Sequence, residues 1–309
     1  MSSYVTVNLG GTKHNLHVCI ASVSADNLGA HTLAVDHKAI SLRYTEDSCS
    51  LRTISNYNTY LQAVKSYSAN KAIFGINKSC SLDRLPNFNV IKSSPPDLHH
   101  DILEGIVPLL LKLTVQKLIE NKIINLIQLN YKIKTFPYGF HDSRNVPCKI
   151  RNHSISANGH LSGKAIENWC LFRNFPITII DYLSIHCDNL PSFWEVFLLF
   201  HQISDILFSF TIKHDQITYL TYLIANFLYM FNIEYPDKMT PKMHYLIHYP
   251  RMLCLFGPLR HLWCMRFESK HNYFKRLCHT ISNFKNITFT LSKRHQMRQC
   301  AELNSYDCL

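Results

Sequence analysis

The sequence predicts an α/β fold with an α-rich majority. Three observations lead there. The chain opens on a β-branched and aromatic run, Tyr4-Val5-Thr6-Val7-Asn8-Leu9, a composition that suits a pleated strand. Past Pro95-Pro96, apolar residues recur at helical spacing rather than in alternation. Of 309 residues, 47% are hydrophobic and only 9 are Gly and 12 Pro, so long elements around a core are expected and a disordered chain is excluded.

The elements follow in order. Gly10-Gly11 supplies a turn after the first run. Residues 16–23 form a second apolar run, read as a strand, which ends in Ser24-Ala25-Asp26. An acid just past a buried strand is a frequent catalytic placement and an equally frequent turn residue. Residues 35–94 are rich in Ser, Asn and Tyr without a sustained period and read as loop with short helices, closed by the break Ser93-Ser94-Pro95-Pro96. Asp97 or Asp101 then caps a helix running through Leu103, Val107, Leu110, Leu111 and Leu118. Residues 137–163 are an irregular connection. Residues 164–172, 192–208 and 216–232 read as helices, and Tyr235-Pro236 and Thr240-Pro241 close that block. A last helical stretch, two helices, covers 262–302. The expected organisation is an N-terminal strand piece over 1–34, an irregular region over 35–94, a helical block over 95–255 and a basic helical region over 256–309. No repeat or low-complexity tract interrupts it.

Residues 217–231 contain no charged side chain, but they are shorter than the roughly 20 apolar residues of a spanning helix. Thr218, Thr221, Tyr222, Ala225, Asn226 and Tyr229 fall on one helical face. Leu220, Leu223, Ile224, Phe227, Leu228 and Phe231 fall on the other. That split predicts a helix lying on a core, with no membrane partner.

The net charge is +11, from 32 Lys+Arg against 21 Asp+Glu, with 18 His taken as neutral. A basic balance suits a polyanion such as DNA, because each neutralised phosphate releases counterions. The 11 cysteines are irregularly spaced, and the first residues have neither a basic nor an apolar leader segment. Reduced thiols in an intracellular protein of nucleus or cytoplasm, not a secreted one, are expected.

Three constellations can carry chemistry. Between Arg266 and Arg298 there are eight Lys/Arg and one acid, Glu268. On a helix, Glu268, His271, Asn272, Lys275 and His279 share a face, while Phe267, Phe274, Leu277 and Ile281 can point toward a core. Such an acid is either an ordinary ion-pair partner or a metal-binding carboxylate among groups that hold a phosphate backbone. His244 and His248 stand four apart, which on a helix lets both imidazoles share a metal or simply places two partly buried histidines together. Asp97, His99, His100, Asp101 and Glu104 gather acids and imidazoles. They read either as N-terminal capping charges or as metal ligands, with Asp97 and His100 spaced for Zn²⁺ or Mg²⁺. A Gly-rich phosphate loop, a nucleophile elbow and a Cys-x-x-Cys pair are all missing from the sequence.

In this order the segments resemble the CACTA-like (En/Spm) transposases, in particular the copies found in animal genomes. The resemblance rests on Asp26-Asn27-Leu28-Gly29-Ala30-His31; on Pro95-Pro96-Asp97 through His100-Asp101-Ile102-Leu103-Glu104-Gly105; on Glu167-Asn168-Trp169-Cys170-Leu171; on Lys242 to Pro250; and on Phe256-Gly257-Pro258-Leu259, Leu262-Trp263 and Arg266 to Lys275. It spans roughly residues 20–300. It implies a DDE-type nuclease core with an RNase H-like fold, interrupted by a large helical insertion. Three carboxylates there would hold Mg²⁺ ions that activate a water or 3′-hydroxyl and stabilise the leaving oxygen. Asp26 corresponds to the second acid and Glu268 to the third. Asp97 with His100, and His244 with His248, match elements inside the insertion for which a structural Zn²⁺ is the implied ligand. Arg266, Lys270, Lys275 and Arg276 are the implied DNA contacts.

The departures are as specific. No Asp or Glu precedes Asp26 to serve as the first acid. The Cys-x-x-Cys that follows the second acid in the family is reduced to Cys49, in a segment, 35–53, that is short. The expectation is therefore an N-terminally truncated remnant of a DDE transposase that binds DNA without cutting it, its Mg²⁺ site incomplete. Two alternatives stand beside it. One is an active metal-dependent nuclease whose missing acid comes from Asp36, Asp97 or another chain. The other is a domesticated structural or protein-interaction module.

Overall fold

Apolar residues three and four apart, with few glycines or prolines between them, fold most of the described chain into helices. The computed structural model describes residues 4–9, 12–17, 44–46, 51–67, 76, 79, 88, 91–186, 189–282 and 284–306. The chain divides into two units, Met1–Trp263 and Cys264–Leu309.

In the first unit, β1 (Tyr4–Leu9) and β2 (Thr12–His17) pair antiparallel, with Tyr4 opposite His17 and Leu9 opposite Thr12. That register leaves two residues between the strands, the length of the commonest hairpin connection. The second described strand begins at Thr12, and the apolar run expected over 16–23 lies outside the described residues from 18 on. The described strands form one antiparallel hairpin, not the parallel, helix-flanked sheet of an α/β fold. The α-rich majority holds, and the α/β layering expected from sequence does not extend beyond this hairpin in the described residues. Asp26 and Asp36 lie outside them.

Helix α1 (Ile54–Ser66) starts at a capping box, in which Thr53 and Asn56 satisfy each other's main-chain N–H groups. A π-helical segment, His99–Ile106, runs directly into α2 (Val107–Glu120). Helix α3 (Leu126–Thr135) follows, opened by a second capping box from Asn125 and Gln128. Three long helices come next: α4 (Ala165–His186), α5 (Ser192–Leu207) and α6 (His214–Glu234). The unit closes with α7 (Pro241–Tyr245), a 3-10 turn (Leu246–His248), α8 (Tyr249–Phe256) and a second 3-10 turn (Leu259–His261). Gly257 ends α8 at φ 72°, ψ −159°, a conformation open to glycine alone.

The core lies where α2, α4, α5 and α6 meet. On α6, Leu220, Leu223, Ile224, Phe227, Leu228 and Phe231 are all buried, while Thr218, Thr221, Tyr222 and Tyr229 are exposed. The amphipathic split predicted for this helix is the one observed. Opposite it, Trp194 stacks on Phe197 at 4.9 Å, Phe172 meets Phe197 at 4.9 Å, and Phe200 meets Phe227 at 4.9 Å. Each such side chain contributes about 1.5–3 kcal/mol through burial. That packing explains why α4 runs on through Pro176 instead of stopping near residue 172. Pro176 removes one main-chain donor, but Phe175, Ile179 and Leu183 carry the buried stripe across it. No helix among the described residues is long and apolar enough to cross a membrane.

The second unit is a pair of helices, α9 (Met265–Ile281) and α10 (Ile287–Tyr306), joined through Ser282 in the left-handed conformation. Within α9, Phe274, Leu277 and Ile281 are half-buried, as their spacing predicts, but Phe267 is 58% exposed.

Candidate metal centre

The candidate site is built on the π-helical segment. A π-turn closes on residue i+5, so positions i+4 and i+5 both lie above position i. Glu104 is four residues from His100 and five from His99, and its carboxylate reaches both. The His99 Nε2–Glu104 Oε1 distance is 3.5 Å, and the His100 Nε2–Glu104 Oε2 distance is 3.9 Å. The two imidazoles meet edge to face at 5.0 Å. One ligand atom from each of His99, His100 and Glu104 lies within 4.8 Å of the other two. In an ordinary α-helix His99 would face away from Glu104. The register is set locally: Val107 N–H donates to Ile102 O, and Pro108, lacking an N–H, restarts the helix.

Asp97 holds this segment from below. Its Oδ1 accepts from the His99 main-chain N–H at 3.2 Å, and its Oδ2 is in direct contact with His100 Nδ1. Asp97 is buried. The capping role expected of it is therefore real. So is its pairing with His100, whose Nδ1 its carboxylate meets directly. With its Nδ1 turned to Asp97, His100 presents Nε2 to Glu104.

His244 and His248 are close, with ring centroids 5.3 Å apart, but not on one continuous helix. His244 is in α7 and His248 in the 3-10 turn, because Pro250 lacks the N–H that would carry an α-helix through. His248 Nδ1 lies 2.7 Å from Glu46 Oε1, which also accepts from Arg251 Nε at 2.8 Å. Burial pushes the Glu46 carboxyl up, but the hydrogen bonds and charges of His248 and Arg251 outweigh it, and the net shift is downward. Among the described residues, His244 and His248 join no group of three metal-ligand side chains.

The two sequence segments nevertheless fold against each other. Lys242 Nζ donates to His100 O at 2.7 Å, and Tyr249 Oη donates to Asp101 Oδ2 at 2.9 Å. Gly105 makes the first contact accessible: a Cβ there would lie 2.3 Å from Lys242 Cδ. A cleft of about 1060 Å³ opens beside them, lined in part by Glu104, Lys112, His160, Lys164 and Lys242. A similar convergence joins the segment at Trp169 to that at Trp263, whose rings meet at 6.2 Å, with Arg173 over Trp169 at 4.4 Å.

Glu268 lies on the exposed surface of the first turn of α9, and the face it shares with His271, Asn272, Lys275 and His279 is exposed throughout. Arg266, Lys270, Lys275 and Arg276 are exposed on the same helix. Lys270 Nζ and the Arg298 guanidinium both lie against the Tyr273 ring, at 5.2 and 4.9 Å. Sequence reasoning gathered His99 and Glu104 into the cluster but did not single them out. Their signal depends on the π-register, which α-helical periodicity does not reveal. Among the described residues, Cys148, Cys170, Cys254, Cys278 and Cys300 are free thiols.

Compared with family models, with curated proteins and with solved structures, the chain matches none.

Proposed function

We propose that this chain is a DNA-binding protein of transposase descent that does not cleave DNA by itself. The observation that carries the reading is the charge of the second unit. All eight of its Lys and Arg residues are exposed, against three acids, Glu268, Glu302 and Asp307, in 264–309. One of these acids, Glu302, is engaged by Arg298 at 2.6 Å. An exposed basic helix pair with tyrosine and histidine interleaved suits a phosphate backbone, to which such groups bind through charge and counterion release.

The descent, and with it the roles of Asp26 and Glu268, is what the resemblance to CACTA-like transposases implies; the RNase H-like core it also implies has no counterpart in the single hairpin of the described residues. Two carboxylates for a Mg²⁺ site that takes three leave binding without cleavage as the assignment. The competing reading, an active nuclease with Asp97 as the missing acid, is disfavoured by the geometry: Asp97 is buried and committed to His100 and the His99 N–H.

Two measurements test the proposal. Changing Lys270, Lys275 and Arg276 together to Gln is expected to weaken duplex binding by about tenfold or more at low salt. Unchanged affinity would overturn the assignment of the interface. Incubation of supercoiled plasmid with Mg²⁺ or Mn²⁺ is expected to leave it intact; nicking that disappears in Glu268→Gln would show an active enzyme.

A further inference from the structure

We infer that His99, His100 and Glu104 form a binding site for one transition-metal ion of the Zn²⁺ class, with Asp97 behind His100 as the group that orients it. The inference is independent of DNA binding. Around Zn²⁺, with metal–ligand distances of about 2.0–2.2 Å, neighbouring tetrahedral ligands lie roughly 3.3–3.5 Å apart. The observed 3.5 and 3.9 Å from Glu104 to the two imidazoles lie within a few tenths of an ångström of that spacing, and all three ligand atoms lie within 4.8 Å of one another.

The donor set selects the metal class. Two imidazoles and one carboxylate suit Zn²⁺ and its neighbours, whereas Mg²⁺ and Ca²⁺ take oxygen cages. The Asp97 contact at Nδ1 leaves Nε2 of His100 as the metal-facing nitrogen, the arrangement in which a carboxylate behind a histidine raises its basicity as a ligand. Burial favours the same outcome. His99 and Asp97 are buried, while Glu104 is half exposed and belongs to the wall of the 1060 Å³ cleft, so one ligand of the group is reachable from solvent.

The test uses the full chain stripped with chelator and titrated with Co²⁺, read by visible absorption, and then with competing Zn²⁺. The expected result is one tightly bound equivalent with nitrogen and oxygen ligand-field bands and no thiolate charge-transfer band in the near ultraviolet. Glu104→Gln, a half-exposed and conservative change that preserves folding, is expected to lower affinity at least ~10-fold, and Asp97→Asn about 10–100-fold. Folding of each variant is checked by far-ultraviolet circular dichroism. Absence of binding at micromolar Co²⁺, a thiolate band, wild-type affinity in folded Glu104→Gln, or binding lost in His248→Ala but kept in Glu104→Gln would each overturn the site.

Discussion

Tyr249 Oη donates a 2.9 Å hydrogen bond to Asp101 Oδ2, and both side chains are buried. The bond ties α8 to the π-helical segment across 148 positions of sequence, and it closes on a carboxylate that has little water to turn to. Tyr249→Phe removes the donor and keeps the ring. A buried acceptor deprived of its partner costs about 1–3 kcal/mol, more when charged. Urea denaturation is expected to show a loss of about 2–3 kcal/mol; a loss under roughly 0.5 kcal/mol would mean that the contact does not hold the segment.

Alkaline pH acts on the same core. Burial pushes the Cys170 thiol up to about 11 from an ordinary 9.0, and the Tyr138 hydroxyl up to about 12 from 10.0. Burial, with Asp101 adding to it, also raises Tyr249 well above its ordinary value. The unfolded chain therefore releases these protons first. Stability is full below pH 9 and falls as pH rises beyond it, with Cys170 alone contributing about 2 kcal/mol by pH 11. Urea midpoints measured from pH 8 to 11 are expected to decline, and Cys170→Ala to flatten the decline between pH 9 and 11.

The acid limb has a different source. The Glu46 carboxyl, held low by His248 and Arg251 against the opposing effect of burial, stabilises the fold while it is ionised. Its share is present above pH 4.5 and is lost as pH falls through the lowered folded value. Glu46→Gln is expected to cost about 1 kcal/mol at pH 6, and its thermal midpoint to converge on that of the unsubstituted chain near pH 3. A gap that persists undiminished at pH 3 would assign the effect to packing instead.

The helical core offers a paired comparison. Phe200 is buried against Phe227 at 4.9 Å, whereas Tyr222 is 65% exposed on the far face of α6. Phe200→Ala is expected to destabilise by about 3–5 kcal/mol and Tyr222→Ala by less than about 0.5 kcal/mol. Comparable losses at both positions would contradict the assignment of the α6 faces.

How far the sequence carried depends on the period that governs each segment. Helix α6 was legible residue by residue, because its buried face follows the 3.6-residue repeat. Helix α5 was legible in its span, and α9 and α10 as a helical stretch, though Phe267, expected toward a core, is exposed. Helix α4 was read short, since Pro176 is a local breaker and the contacts that override it, Phe172 with Phe197 and Phe175 with Trp194, come from another helix. The cluster of Asp97, His99, His100 and Glu104 was half legible. Asp97 and His100 stand at a spacing that brings them together, but His99 joins Glu104 only through a π-register. His244 and His248 show the reverse: their helical spacing is clear in the sequence, yet Pro250 divides the helix and Glu46, 202 positions away, takes His248 Nδ1.

The most direct test of DNA binding is a salt titration of the full chain on a 20-base-pair duplex of unrelated sequence (roughly two helical turns), followed by fluorescence anisotropy. Exposed cations on α9 and α10 predict an affinity that falls with the logarithm of salt concentration at a slope of about −3 or steeper, and a slope shallower by about 2–3 when Lys270, Lys275 and Arg276 are Gln. No binding at about 50 mM salt, or binding indifferent to salt, would contradict it.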